Sequence, residues 1–183
     1  EIGSLEGLIF PEVILIDEMP IADKRIHGMD FGFTNDPTTL TDIRVIGDDL
    51  FLDELLYQTE MTSGDIIRFL KSIEFGKKEL VADSSDPKTI AELRRGGFNI
   101  HEAVKGPDSI KFGIDLIKTK RIHITKRSVN FIKEQRNYKW KVDRATGKPL
   151  NEPIDFFNHL WDPTRYGLTK LITKPKVYGV KVN

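Results

Sequence analysis

Ile26-His27-Gly28-Met29-Asp30-Phe31-Gly32 reads as a short β-strand that runs into an acid and then a glycine. An ionised carboxylate at the end of an apolar strand costs desolvation free energy unless a partner offsets it. The pattern recurs in Glu79-Leu80-Val81-Ala82-Asp83, a second strand-like run closed by an acid. A third acid, Asp162, lies near the end in Asn158-His159-Leu160-Trp161-Asp162-Pro163-Thr164-Arg165-Tyr166-Gly167. Three such acids brought together repel one another, and a bound divalent cation is the usual remedy.

Working outward, Arg25–Phe31 is followed by the turn cluster Thr34-Asn35-Asp36-Pro37. Thr38–Ile46 and Leu50–Tyr57 flank Gly47-Asp48-Asp49, which predicts a hairpin. Thr62 or Ser63 caps a helix whose apolar set, Ile66, Ile67, Leu70 and Ile73, recurs at helical spacing. Pro87 opens a helix that Gly96-Gly97 stops. Asn99–Ala103 reads as a strand, and Asp108 or Ser109 starts a helix carrying Ile110, Ile114 and Ile117. Arg121–Ile124 predicts a strand and Ser128–Gln135 a short helix, and residues 137–153 form a hairpin or loop insertion. A last helix falls within Ile154–Leu171. A meander of three strands followed by alternating helix and strand predicts an α/β fold with a mixed sheet flanked by helices. The first strand and the strand after the first helix could be neighbours, which sets Asp30 beside Asp83, and the final helix could deliver Asp162.

At 183 residues the chain suits one domain with a real core. It carries 28 basic and 28 acidic residues, so no strongly basic nucleic-acid module is indicated, although clustered carboxylates can mask a basic groove. Without cysteine there are no disulfides or thiolate metal sites. The apolar stretch Leu8–Ile16 is broken by Pro11 and Glu12 and is too short to span a bilayer, and no signal-peptide pattern is present. An intracellular soluble domain is the default expectation. Residues 1–24 mix apolar residues, prolines and acids and read as a lead-in segment or linker; residues 25–183 read as the domain.

Phosphodiester cleavage needs an activated water and a stabilised leaving oxygen, and two Mg²⁺ or Mn²⁺ ions about 4 Å apart supply both. Hard cations take oxygen donors, so Asp is the expected ligand type. Asp30 would bridge the ions, with Asp83 and Asp162 each holding one side. His159, three residues before Asp162, shares its face if the segment is helical and could orient a water or carry a proton. Arg165 could contact a phosphate or pair with a carboxylate. Plainer roles stand beside these. An Asp after a strand is ordinarily a turn or cap residue, Asp86 before Pro87 suits a helix cap, and Asp36 before Pro37 suits a turn. His27, His101 and His123 read as structural or exposed. Lys139, Lys141, Arg144 and Lys148, interleaved with Tyr138 and Trp140, are the basic set best suited to a DNA-facing loop.

The stretch Gly28–Thr38, the run Val81-Ala82-Asp83-Ser84-Ser85-Asp86-Pro87-Lys88 and the segment Asn158–Gly167 together resemble the three acidic motifs of the nuclease domain of tailed-bacteriophage terminase large subunits. The resemblance spans about residues 25–170. It implies an RNase H-like fold, a metal-dependent DNA endonuclease acting in genome packaging, and Asp30, Asp83 and Asp162 as metal ligands with His159 in support. It also implies double-stranded viral DNA as substrate. Its implied partners are a terminase ATPase domain, a small terminase subunit and the portal or prohead, all in the host bacterial cytoplasm. No Gly-x-x-x-x-Gly-Lys-Ser/Thr loop is present, so residues 1–24 are expected to lead from a missing ATPase domain. The insertion at 137–153 sits where such domains carry a β-hairpin near the active site. One departure is Pro163, where the family usually has Ala: the helix either restarts with Asp162 as its cap or bends there. Three other readings stay open: a resolvase- or transposase-type nuclease, an actin-like nucleotide-binding lobe, and a non-catalytic docking domain of the packaging motor.

Overall fold

The computed structural model describes residues 6–173, so residues 1–5 of the expected lead-in and 174–183 of the expected domain lie outside the described residues. Among the described residues, nine strands and five helices follow one another as β1 (Ile14–Ile16), β2 (Lys24–Asp30), β3 (Thr38–Ile46), β4 (Asp49–Gln58), α1 (Ser63–Ser72), β5 (Leu80–Ala82), α2 (Pro87–Arg95), β6 (Ile100–Glu102), α3 (Ser109–Lys118), β7 (Arg121–Thr125), α4 (Val129–Gln135), β8 (Trp140–Val142), β9 (Pro149–Pro153) and α5 (Trp161–Thr173).

Seven strands form one sheet in the order β1-β7-β4-β3-β2-β5-β6. The meander β2-β3-β4 is antiparallel, and β5, β6, β7 and β1 join it through parallel pairings. Gly47, at φ 58°, makes the two-residue turn between β3 and β4, where a side chain would be strained. Thr62 and Asp65 form a reciprocal capping box at α1, and the Asp86 carboxylate accepts the Thr89 N–H at the start of α2.

Alternation along the strands divides the apolar residues between two cores. Met29, Leu40, Leu80 and Ala82 face α1 and α2 with Ile66, Leu70, Ile90 and Leu93. Ile26, Ile43, Leu52 and Val81 face the other side with Ile114, Phe131, Trp161 and Leu168 of α3, α4 and α5. The result is a mixed sheet between two helical layers. Part of the segment read as a lead-in belongs to this body. Ile9 and Phe10 are buried, the Phe10 ring lies 4.2 Å from that of Trp161, and β1 extends the sheet beside β7. The prolines that suggested a linker are compatible with short edge structure, and the Trp161 contact crosses too much sequence to be legible locally. Among the described residues no helix is long and apolar enough to cross a membrane.

Candidate active site

β2 and β5 run parallel with Met29 opposite Ala82, so Asp30 and Asp83 emerge side by side at their carboxyl ends. That end of a parallel pair is where open α/β sheets collect ligands. The first turn of α5 lies directly over β2. A Cβ built on Gly28 would stand 2.2 Å from the Pro163 carbonyl oxygen, so only glycine admits this approach, which carries Asp162 to the same cleft. Asp162 is not the cap of the helix, since it lies inside α5. The helix begins at Trp161, and Pro163 falls in its first turn, where a missing N–H costs nothing. The Asp162 N–H already donates to the Asn158 carbonyl at 2.8 Å, so the turn carrying His159 winds into α5.

Electrostatics tie the acids together. Burial pushes the Asp30 carboxyl above its ordinary range, the charges of Asp162 and Asp83 add to that, and His159 opposes it. Asp162 is also raised, first by burial and further by Asp83, against the pull of Arg165. Asp83 behaves differently. Its burial is outweighed by the Lys105 ammonium and the Ser85 N–H, which hold it below the usual range. Arg165 Nη2 pairs with Asp162 Oδ1 at 2.9 Å. This arginine is 6% exposed and packs on Gly113 of α3, where a Cβ would stand 2.9 Å from its Cδ. His159 Nδ1 is 3.7 Å from Asp30 Oδ2 and its Nε2 is 3.6 Å from Asp36 Oδ1, both longer than hydrogen bonds. Asp30 is the chief cause of a raised His159 pKa.

A second layer fixes the His159 turn. Glu134, 1% exposed on α4, accepts the His159 N–H at 3.1 Å and the Leu160 N–H at 2.9 Å. Thr39 of β3 donates its hydroxyl to the His159 carbonyl at 2.6 Å. Burial raises Glu134 to about 7 and Tyr57, next to it, to about 12. Sequence reasoning missed Glu134, Thr39, Tyr57 and Lys105. The signal for Glu134 was its place three residues after the buried Phe131, a charge on an apolar face.

Oxygen donors that raise one another's pKa are the chemistry a hard cation relieves, and in this sense Asp30, Asp83 and Asp162 fit a divalent metal. Among the described residues, no three Asp, Glu, His or Cys side chains are gathered closely enough to hold an ion as they stand, so the acids would have to close around it.

Residues 30–170 match the family model of the terminase RNase H-like domain. The chain belongs to that family. The terminase large subunit of Bacillus phage SPP1 is 28% identical over 182 residues, covering 92% of this chain and 42% of that protein, so the terminase domain described here spans less than half of its relative. The nuclease domain of the SPP1 large terminase, solved with bound manganese, superposes with a TM-score of 0.79 at 24% identity over 89% of this chain and 98% of that one. The P22 large terminase nuclease domain gives a TM-score of 0.65 at 19% identity, covering 91% and 92% of the two chains. These likenesses establish the RNase H-like fold.

Of the basic residues proposed for DNA contact, Arg165 lines the terminase domain's acidic cleft, Lys141, Arg144 and Lys148 lie on the β8–β9 hairpin, and Lys139 comes just before it. Lys141 is paired with Glu152, whereas Arg144 and Lys148 are exposed around the turn. Lys139 bridges to Leu8 through its backbone, and its carbonyl accepts the Ile154 N–H at 3.0 Å.

Proposed function

We propose that this domain is the metal-dependent endonuclease of a phage DNA-packaging terminase, cutting concatemeric viral DNA by two-metal phosphodiester hydrolysis. The observation that carries the reading is the electrostatic coupling of Asp30, Asp83 and Asp162, which come from three separate elements: Asp162 and Asp83 both raise Asp30, and Asp83 raises Asp162. Two relatives of the same fold, from phages SPP1 and G20c, were solved with manganese and magnesium respectively.

When bound, two Mg²⁺ or Mn²⁺ ions would activate the attacking water and neutralise charge on the phosphate and leaving oxygen. Asp30, Asp83 and Asp162 would hold the ions, their carboxylates supplying the oxygen donors that hard cations take. His159 stands next to Asp30 with an imidazole that Asp30 favours in its charged form, which suits it to hold the proton taken from the water or given to the leaving group. Glu134 and Thr39 act on its backbone and keep the imidazole at that edge of the cleft. Arg165 orients Asp162 through its hydrogen bond. The products are a 5′-phosphate and a 3′-hydroxyl.

With balanced charge, the isolated domain would bind DNA weakly and without sequence preference. In the whole protein an ATPase domain, with a small subunit and the portal in the host bacterial cytoplasm, would hold DNA near it and raise its effective concentration. The test is plasmid cleavage with Mg²⁺, Mn²⁺ or EDTA, beside Asp30→Ala, Asp83→Ala and Asp162→Ala. Metal-dependent nicking that disappears in all three variants is the expected result. Folded protein that fails to cut with either Mg²⁺ or Mn²⁺ would sink the reading in favour of a docking role.

A further inference from the structure

The cleft does not end at the acids. From Asp83 and Asp162 it continues between the start of α3, the loop before it and the outer side of α5, with a volume of about 470 Å³. Part of its lining is apolar yet open to solvent: Val104 is 92% exposed, Ile110 46% and Phe112 53%. Lys105, Arg165 and Lys170 also line it. Two features point to an anion. Helix α3 starts from Asp108 in a left-handed conformation, φ 62°, with no side-chain cap, so the positive end of the helix is left open beside Lys105. Independently, Arg165 Nε is buried and has no hydrogen-bond partner.

We propose that this cleft seats an unpaired nucleotide of the DNA strand, its phosphate on Lys105, Arg165 and the open end of α3 and its base stacked on Phe112 with Ile110 and Val104 alongside. The site deepens the nuclease reading and rests on it. Cations interleaved with an exposed aromatic ring are how proteins hold single strands without reading sequence. Pockets of roughly 300–1,000 Å³ enclose one small molecule, so the volume suits one nucleotide and not a duplex. Because the cleft opens directly onto Asp83 and Asp162, the nucleotide would adjoin the scissile phosphate. The strand to be cut would therefore be locally open, and flaps, gaps and melted duplex would be cut in preference to continuous duplex.

The experiment is fluorescence anisotropy of a labelled oligothymidylate and of a duplex of equal length, with the full chain in EDTA. Tighter binding of the single strand is expected, weakened by about 5- to 100-fold in Phe112→Ala and largely restored in Phe112→Tyr. Lys105 is already paired with Asp83, so the salt probe is Lys170→Ala, which should lower the slope of log affinity on log salt by about 0.7. Equal or tighter binding of duplex would overturn the proposal, as would an unchanged affinity in a folded Phe112→Ala. EDTA separates the two readings: binding lost in Phe112→Ala supports the cleft even if no metal supports nicking, while metal-dependent nicking with duplex-preferring binding leaves the nuclease standing and removes the cleft.

Discussion

Asp42 and Asp30 lie on neighbouring strands of one sheet, the first buried and the second partly so, and their carboxyls are driven in opposite directions. Asp42 is 2% exposed, and burial alone would raise it. Arg44 and Arg25 outweigh that and hold it below the ordinary range, with Nη2 contacts of 2.8 and 2.7 Å to the same oxygen. Its register partner across β4 is another buried acid, Asp53, which takes Arg127 Nη2 at 2.6 Å and the Thr125 hydroxyl at 2.6 Å. Two adjacent acids thus meet three arginines. At the other end of β2, Asp30 and Asp83 are also adjacent and Asp162 joins them, but Asp30 has only an imidazole at 3.7 Å. One cluster closes its charge within the fold. The other leaves a deficit of positive charge in an open cleft, which is where an ion from outside has work to do.

Substitutions at the two clusters should therefore differ in kind. Asp42→Ala strands two arginines and should cost about 3–5 kcal/mol in urea unfolding. Asp30→Asn removes a repelling charge and should leave the unfolding midpoint unchanged or higher, while lowering cleavage by at least about a hundredfold, as when one transition-state stabiliser is lost. Equal destabilisation by both would erase the distinction. Acid provides a third probe. His27, 1% exposed beside Asp42, is lowered from 6.5 to about 4, chiefly by burial. Between these values the unfolded chain takes up a proton that the folded protein refuses. Stability is therefore fully present above pH 6.5 and falls by about 3 kcal/mol as the pH drops towards 4. His27→Gln should flatten that slope. The raised carboxyls of Asp30 and Asp162 work in the opposite sense, favouring the fold when protonated and losing that contribution as the pH rises through their folded values.

The join between the clusters can be broken at Gly28. Gly28→Ala sets a methyl against the Pro163 backbone, which cannot swing aside, and should cost about 1–3 kcal/mol while lifting Asp162 away from Asp30. Cleavage should fall with it. Gly64→Ala in α1, whose Cβ would meet nothing closer than 3.6 Å, is the control and should be neutral or slightly stabilising.

Local patterns carried much of this site. Apolar runs closing on Asp30 and Asp83 marked strand ends, Thr38–Ile46 appears as β3 with the expected bounds, and Thr62, Asp86 and Pro87 mark helix starts as their chemistry requires. What sequence could not show was distance. Of the arginines that hold Asp42 and Asp53, only Arg44 is near in sequence; Arg25 and Arg127 lie 17 and 74 residues from their acids. Ile9 and Phe10 read as linker because their partners, Tyr138 and Trp161, are far along the chain. Glu134 stood out only as a charge three residues after Phe131, and its partners, the N–H groups of His159 and Leu160, lie 25 and 26 residues on.

The smallest expected effect separates the hairpin from the cleft. Both carry lysine and arginine, yet their cations are differently engaged. Lys141 is paired with Glu152, so Lys141→Ala should leave the salt dependence of duplex binding unchanged. Arg144 and Lys148 are exposed around the β8–β9 turn, and each replaced by Ala should reduce the slope of log affinity on log salt by about 0.9 if it meets a phosphate. Affinity should drop only a few-fold, without change in cleavage once DNA is saturating, because neither residue touches the acids. A slope unmoved by both would place the duplex elsewhere on the domain and leave Lys105 and Arg165 as the cations that face DNA. A slope reduced by both would make the hairpin a clamp on the backbone, with the cleft handling the strand at the point of cutting.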